Sequence, residues 1–251
     1  NLLFKDADLV INTVGILNEL NEDNSFDKIH YQVTKKISHS IKQNKVKRYL
    51  HISSLNADPK SIGKYLKSKG MAEDFFISET SSFCKLTIFR PSIVFGESDS
   101  FFNKFATLLK FLPVFPLACP NAKFMPVYVE DLTDFMISAI NNMDTYGQKI
   151  DVTGPNEYTF RELIDQTLIA LNTRRIIIPL NNFLSRLQAR VFEKLPGKLF
   201  TMDNYQSLQI DSCSDEGFKG SSSLEDIIPQ YLNIKTKQER FEKLRKKSGR
   251  K

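Results

Sequence analysis

The stretch VKRYLHISSLNADPKSIGKYLKSKGMAEDFFISE, residues 46–79, decides the fold. Its first part, residues 46–52, is a short, mostly apolar run that predicts a strand and ends in Ser53-Ser54. After a loop, residues 61–79 predict a helix, and residues 85–89 predict the next strand. A strand, a crossover helix and a second strand form a βαβ unit, so the sequence predicts a parallel sheet.

The same alternation extends in both directions from this unit. Residues 8–15 predict a strand that is apolar on both faces, residues 26–44 predict an amphipathic helix, and residues 150–152 predict a further strand. We therefore expect an α/β fold with a Rossmann-like, doubly wound parallel sheet. A strand that is apolar on both faces belongs inside a sheet, so we also expect the sheet to lack its first strands, about three of them, through an N-terminal truncation.

The second half of the chain predicts a smaller, less regular unit. Residues 98–126 are rich in phenylalanine and proline, which is typical of a substrate-domain core and lid, or alternatively of a docking face for a partner or a membrane. Asp131 is expected to begin a helix as its N-cap, and residues 159–162 form a capping box that opens another. Residues 201–234 predict a small, irregular helical segment.

The net charge of +6 is concentrated at the carboxyl end. Residues 235–251 carry a net charge of +7, so the other 234 residues carry −1. A neutral body argues against nucleic-acid binding. We expect residues 235–251 to be a basic, disordered tail, either a solvated terminus or a contact with an anionic membrane surface. Because the chain contains no run of 18 apolar residues, it predicts no transmembrane span.

The three cysteines, Cys84, Cys119 and Cys213, lie far apart in the sequence. This spacing argues against a disulfide framework and against a cysteine zinc site, and it favours a reducing compartment. The ten glycines form no G-x-G-x-x-G motif, so the loop that normally cradles a dinucleotide phosphate is absent from these residues.

The candidate catalytic residues are Tyr65 and Lys69, with Ser54 as a hydroxyl that could orient a substrate carbonyl. Tyr65 and Lys69 are four residues apart and share a helix face, so we expect the ammonium to lower the pKa of the phenol and to allow proton transfer near neutral pH. The pairs Tyr31/Lys35 and Tyr231/Lys235 have the same spacing. Only Tyr65 follows a strand and a serine pair at the sheet edge where α/β proteins bind ligands.

Several motifs together resemble the extended or atypical short-chain dehydrogenase/reductase superfamily, also described as NAD-dependent epimerase/dehydratase-like. They are Asn12-Thr13-Val14-Gly15, residues 46–73 with Tyr65 and Lys69, Arg90-Pro91-Ser92-Ile93-Val94-Phe95-Gly96, and Val129-Glu130-Asp131. More narrowly, residues 51–57, Lys64-Tyr65-Leu66, residues 126–129 and residues 189–193 resemble the dehydrogenase-like accessory subunit of respiratory complex I and its bacterial relatives. His30 stands where many enzymatic members of the superfamily have Asn.

The resemblance implies NADP or NAD bound across the strand ends. It places Tyr65 and Lys69 near the nicotinamide ribose, and Gly15, Asn12, Ser53 and Pro91 in contact with the cofactor. It implies an accessory or assembly subunit of NADH:ubiquinone oxidoreductase or a protein of ubiquinone biosynthesis. The alternative is an active NAD(P)-dependent reductase, epimerase or dehydratase that uses a Ser-Tyr-Lys site.

The resemblance also implies a domain division and a location. We expect residues 1–155 to be the C-terminal part of an NAD(P)-binding Rossmann-like domain, and residues 156–234 a small helical substrate-type subdomain that also receives parts of 98–126. The expected partners are complex I subunits, and the expected location is the bacterial cytoplasm, peripheral to the inner membrane, or the mitochondrial matrix side in a eukaryote.

Overall fold

The computed structural model describes residues 4–195 and 197–232, so the predicted tail at residues 235–251 lies outside the described residues. The strands are β1 (Leu9–Asn12), β2 (Arg48–Ile52), β3 (Lys85–Pro91), β4 (Val94–Phe95), β5 (Val114–Leu117), β6 (Lys123–Phe124), β7 (Val127–Tyr128), β8 (Lys149–Thr153), β9 (Tyr158–Thr159), β10 (Ile176–Pro179) and β11 (Phe218–Lys219). The α-helices are α1 (Val33–Asn44), α2 (Lys64–Thr80), α3 (Phe102–Phe111), α4 (Val129–Ser138), α5 (Phe160–Ala170), α6 (Asn182–Phe192), α7 (Met202–Ser207) and α8 (Leu224–Leu232).

The central sheet has the strand order β1-β2-β3-β8-β11, and every neighbouring pair is parallel. Both faces are covered by apolar side chains. Tyr49 of β2 packs with Ile41 of α1 and Phe76 of α2, whereas the next residue, Leu50, packs on the opposite face with Leu132 of α4. This alternation along one strand confirms the predicted α/β class and the doubly wound parallel sheet.

A third apolar cluster lies away from the central sheet. It joins α3, α5 and α8 through Phe102, Leu109, Leu163 and Ile228, and it includes Phe124 of β6. The two-stranded pairings β5 with β10 and β6 with β9 add backbone hydrogen bonds to this part of the chain. Much of the aromatic content of residues 98–126 is therefore core, although the division of the chain at residue 155 stays a prediction.

β1 occupies the edge of the described sheet and pairs with β2 alone among the described residues. We expected this strand inside the sheet, because its sequence is apolar on both faces. Val10 is buried against α1 and α2, but Ile11 is 47% exposed on the other face. Within the described residues, this edge position of β1 is the one expected for a sheet that lacks its first strands.

Four local expectations need correction. β3 continues through Arg90 and Pro91. The carbonyl of Pro91 accepts a hydrogen bond from the N–H of Leu55, and proline has no N–H of its own that needs an acceptor.

Asp131 is not an N-cap, since α4 begins at Val129 and the Asp131 carboxylate accepts hydrogen bonds from the N–H and hydroxyl of Ser222. Residues 27–32 form a π-helix before α1, and the segment predicted as irregular at residues 201–234 contributes β11 to the central sheet.

Candidate functional site

The candidate site lies at the carboxyl end of β2, where the chain leaves the sheet and enters the loop before α2. The N–H of Ser53 donates to the carbonyl of Phe89 at 2.8 Å, which continues the β2–β3 ladder one residue beyond β2. Ser54 follows, and Tyr65 lies in the first turn of α2. The carboxyl end of β2 and the first turns of α2 thus place Ser54, Tyr65 and Lys69 in one region, as the sequence predicts.

Asp203 of α7 caps the amino end of α2. Its carboxylate accepts hydrogen bonds from the N–H groups of Lys64 and Tyr65, the latter at 3.3 Å to each oxygen. A carboxylate at this end is favoured by the helix dipole and satisfies free backbone donors. Asp203 therefore fixes the start of the helix that carries Tyr65, a contact across 138 residues that local sequence patterns do not reveal.

The phenol of Tyr65 is in its protonated form at neutral pH. Burial raises the pKa of Tyr65, a side-chain hydrogen bond with Ser54 lowers it, and the charge of Asp203 raises it further. The ring lies edge-on to Phe26 and to His30, with centroids 5.7 Å apart in each case. Our expectation that Lys69 would lower the pKa of this phenol is wrong, because burial outweighs the favourable effects on the phenolate.

Lys69 is 95% buried beneath the site. Its ammonium donates to the carbonyl of Ile52 at 3.3 Å, and a Cβ atom built on Gly15 would lie 3.0 Å from its Nζ. Burial lowers the pKa of Lys69 to about 8, although the nearby Glu73 raises it. Lys69 is thus held between the end of β2 and the loop after β1.

His30 joins these elements from the π-helix. Its Nε2 accepts a hydrogen bond from the N–H of Ile16 at 3.0 Å, so Nδ1 carries the proton and donates to Ser68 Oγ at 2.8 Å. Ser68 Oγ in turn donates to the carbonyl of Tyr65 at 2.8 Å. Burial, followed by the charge of Lys69, lowers the pKa of His30 to about 3. The sequence marked His30 only as a departure from the enzymatic pattern, and the long-range bond to Ser68 shows its positioning role.

The other predicted cofactor residues take different places. The side chain of Asn12 is already engaged, since its Oδ1 accepts from the N–H of Val14 at 3.0 Å and its Nδ2 donates to His51 Nδ1 at 3.1 Å. Pro91 contributes its carbonyl to the N–H of Leu55. The hydroxyl of Ser53 is buried and has no hydrogen-bond partner within residues 4–195 and 197–232.

These residues fit the nicotinamide end of a dinucleotide. The unpartnered hydroxyl of Ser53 and the ammonium of Lys69 are groups that a ribose could hydrogen-bond, and Gly15 keeps the space beside Lys69 free of a side chain. The glycine-rich phosphate cradle is missing from the sequence, so the fit extends to this end of the ligand only.

A pocket of about 260 Å³ opens from Ser54 and Tyr65 toward α3, and we call it the site pocket. Its walls are mostly apolar and aromatic, with Phe101, Phe105, Phe124, Phe160 and Phe200 among the lining residues. Lys104 also lines it. Of the aromatic residues in the 98–126 region, Phe101, Phe105 and Phe124 line this pocket and Phe102 is buried, whereas Phe111 is 80% exposed.

The lowered pKa of Lys69 predicts a specific pH dependence of stability. Between about pH 8 and the ordinary value of 10.5, the unfolded chain holds a proton that the folded chain lacks. The contribution of Lys69 to stability therefore rises with pH across this window, by at most about 1.4 kcal/mol per pH unit. Denaturant titrations at several pH values should show this slope in the wild type and not in Lys69→Met.

The matched control for this measurement is Lys67→Met, which removes an exposed lysine from the same helix. It should keep the wild-type slope, because it leaves the buried ammonium of Lys69 in place. Equal slopes in Lys69→Met and Lys67→Met would contradict the buried position of Lys69.

Comparisons with known proteins show what this chain is similar to. The profile of the 3-beta hydroxysteroid dehydrogenase/isomerase family matches residues 58–163. Subunit 9 of the NADH dehydrogenase [ubiquinone] 1 alpha subcomplex, mitochondrial, from Mus musculus is 30% identical over 234 residues, which cover 92% of this chain and 60% of that protein. The mitochondrial NADH-ubiquinone oxidoreductase 40 kDa subunit from Neurospora crassa is 26% identical over 171 residues, covering 68% and 44%. The chain thus spans about 60% of the length of the mouse relative.

Solved structures share the fold at low identity. UDP-glucuronic acid 4-epimerase from Bacillus cereus, in complex with UDP-glucuronic acid and NAD, superposes with a TM-score of 0.66 at 16% identity, covering 92% of this chain and 77% of that one. UDP-N-acetylglucosamine 4-epimerase from Methanobrevibacter ruminantium, in complex with UDP-N-acetylmuramic acid, gives a TM-score of 0.63 at 16% identity with the same coverage. These likenesses show the fold alone.

Proposed function

We propose that this chain is a nucleotide-holding accessory or assembly subunit of an NADH:ubiquinone oxidoreductase. The proposal starts from its similarity to subunit 9 of the mitochondrial NADH dehydrogenase alpha subcomplex and to the 3-beta hydroxysteroid dehydrogenase/isomerase family. The relatives described above are named as subunits of NADH dehydrogenase or NADH-ubiquinone oxidoreductase, and a role in ubiquinone biosynthesis stays a prediction.

The observation that carries the proposal is the similarity to the mouse subunit 9 protein, 30% identical over 92% of this chain, and the surroundings of Tyr65 support the nucleotide-holding part of it. The pKa of the Tyr65 phenol is raised, and the ammonium of Lys69 donates to the carbonyl of Ile52. A general acid and base works best with a pKa near the working pH, and this phenol has moved away from it. The side chains suit the binding of a ligand better than proton transfer to one.

We propose NADP or NAD as the nucleotide, with its nicotinamide end at the site. Ser53, Tyr65 and Lys69 would hold the ribose and nicotinamide, with Gly15 at the backbone beside them. A bound nicotinamide would supply hydride-transfer chemistry. His30 and Asp203 hold α2 and Tyr65 in position, and the apolar wall of the site pocket limits the access of water.

Affinity purification of the tagged protein from its own cells tests the proposed role. We expect complex I subunits to co-purify with it from detergent-solubilised membranes, and deletion of its gene to reduce the assembled complex on native gels. Extraction of the purified material should release a nicotinamide nucleotide. An untagged strain is the control, and recovery of the protein alone, with complex I intact in the deletion strain, would contradict the proposal.

The second candidate is an active NAD(P)-dependent reductase, epimerase or dehydratase. It is favoured by the hydrogen bond between Ser54 and Tyr65, because a hydroxyl paired with a phenol is an arrangement that can orient and protonate a substrate carbonyl. The site pocket argues against a sugar nucleotide as substrate, since Lys104 is the one Lys or Arg among its lining residues in the described part of the chain.

We further propose a peripheral position on an anionic membrane surface. The relatives are described as mitochondrial subunits, and none of the described helices of this chain is both long and apolar enough to span a bilayer. The net charge of +7 in residues 235–251 supports attachment, since each basic residue near an anionic leaflet contributes roughly 1 kcal/mol. Deleting these residues should release the protein from membranes at low salt if the proposal holds.

A further inference from the structure

A second pocket of about 330 Å³ lies next to the site pocket, and we call it the outer pocket. Phe105, Phe160, Leu199 and Phe200 line both pockets and separate them. Phe105 belongs to α3, and Leu199 and Phe200 lie in the loop between α6 and α7. The wall that the two pockets share therefore includes two side chains from a loop, and joining the two spaces requires Leu199 or Phe200 to change rotamer.

The two pockets differ in polarity. The outer pocket is lined almost entirely by apolar side chains, with Gln188 as the one polar residue of its described lining, and the amide of Gln188 donates to the carbonyl of Pro116 at 3.1 Å. In the site pocket, the lining residues Asn18 and Ser207 each have a buried polar atom without a partner among the described residues. A ligand that fills both spaces would therefore have a polar head in the site pocket and an apolar body in the outer pocket.

Lys104 places a positive charge in the site pocket, which is the polar end of the two spaces. Its Nζ donates to the carbonyl of Leu199 at 3.2 Å, and no carboxylate within residues 4–195 and 197–232 forms an ion pair with it. Lys104 is half-buried in the wall of the site pocket, and this burial lowers its pKa. An anionic head group would solvate this ammonium with a charge-assisted hydrogen bond.

The outer pocket also opens to solvent along an apolar rim. Leu112, Val114 and Leu199 are each about 40% exposed at this rim. A long aliphatic chain is the apolar body that fits the two pockets once a loop side chain has turned aside, because it can pass Phe105 and leave at the rim. A rigid or branched ligand would need both spaces to widen.

We propose that the joined pockets bind a long-chain fatty acid, with its carboxylate at Lys104 and its aliphatic chain running through the outer pocket. This site needs neither a bound nucleotide nor complex I, so it goes beyond the proposed function and is tested separately from it. A lysophospholipid shares the chain and the anionic head, but it adds a glycerol and a phosphate that the site pocket has little room for.

Displacement of the fluorescent fatty acid cis-parinaric acid from the purified protein, without nucleotide, tests the site. We expect palmitate to compete, octanoate to compete at least about tenfold more weakly because its chain ends in the site pocket, and palmitoyl lysophosphatidylglycerol to compete more weakly than palmitate. Failure of palmitate to displace the probe, equal competition by octanoate, or tighter binding of the lysolipid would overturn the proposal.

Variants of α3 and of the loop between α6 and α7 test where the fatty acid binds. Lys104→Met should weaken palmitate by about tenfold and leave hexadecanol within about twofold, whereas Lys104→Arg should keep palmitate within about threefold. The control is Lys110→Met, which removes an exposed lysine of the same helix outside both pockets. Leu199→Trp should weaken palmitate more than octanoate, because it narrows the passage. Equal losses in Lys104→Met and Lys110→Met would overturn the assignment.

Discussion

Replacing Glu73 by alanine should lower the free energy of unfolding by about 3 kcal/mol, the largest effect on stability that we expect from a single side chain of α2. The Glu73 side chain is fully buried, and its carboxylate accepts from Arg90 Nε at 2.9 and 3.2 Å, from Arg90 Nη2, and from Lys149 Nζ at 3.0 Å. Alanine would leave both cations without their buried partner. For a chain of this length, the melting temperature should fall by roughly 10 °C.

The expected loss lies at the lower end of the range for broken buried ion pairs, because Arg90 and Lys149 keep some contact with water. Their side chains are 21% and 29% exposed. Glu73→Gln should cost less than Glu73→Ala, since an amide of nearly the same shape still accepts a hydrogen bond from Arg90.

Asp74→Ala is the matched control for this effect. Asp74 is the next residue of the same helix, and its carboxylate also pairs with Lys149, at 3.2 Å, but its side chain is 56% exposed. Exposed pairs contribute less than about 1 kcal/mol, so this variant should melt near the wild type. A Glu73→Ala protein as stable as Asp74→Ala would contradict the buried ion pair.

The ion pairs that Glu73 forms with Arg90 and Lys149 are contacts that the sequence analysis could not predict. Local apolar spacing predicts the helix of Glu73, the strand at residues 85–89 and a parallel sheet, but it does not predict that β3 continues through Arg90. The pairing of these three side chains depends on how α2 lies across the sheet, which no local pattern encodes. The same holds for Asp203 on the amino end of α2 and for His30 with Ser68, whose partners are 138 and 38 residues away.

The pKa of Tyr65 illustrates a second limit. The spacing of Tyr65 and Lys69 predicts that they share a face of α2, but the sign of the pKa shift of Tyr65 depends on burial. Lys69 is 95% buried and Tyr65 is packed against Phe26 and His30, so desolvation of both groups dominates. Spacing along a helix carries no information about how much water reaches the side chains.

The hydroxyl of Tyr65 should be dispensable for the fold and for complex assembly, but not for any turnover. Tyr65→Phe keeps the ring and its contacts with Phe26 and His30, and removes the group that hydrogen-bonds Ser54. We expect the free energy of unfolding to change by no more than about 1 kcal/mol. If the purified protein reduces a carbonyl substrate with NAD(P)H, the rate should fall by about a hundredfold or more, as for the loss of a general acid or base.

Tyr31→Phe separates this effect from the general loss of a tyrosine hydroxyl. Tyr31 has the same spacing to a lysine, and the Nζ of Lys35 lies 4.2 Å from its ring centroid, but neither residue lines the site pocket. This variant should keep both turnover and assembly. A wild-type protein without turnover and a Tyr65→Phe protein that still enters complex I would favour the accessory role, because the phenol then serves binding alone. A Tyr65→Phe protein that fails to fold would show instead that the hydroxyl belongs to the core, and the assignment of the site to Tyr65 would be wrong.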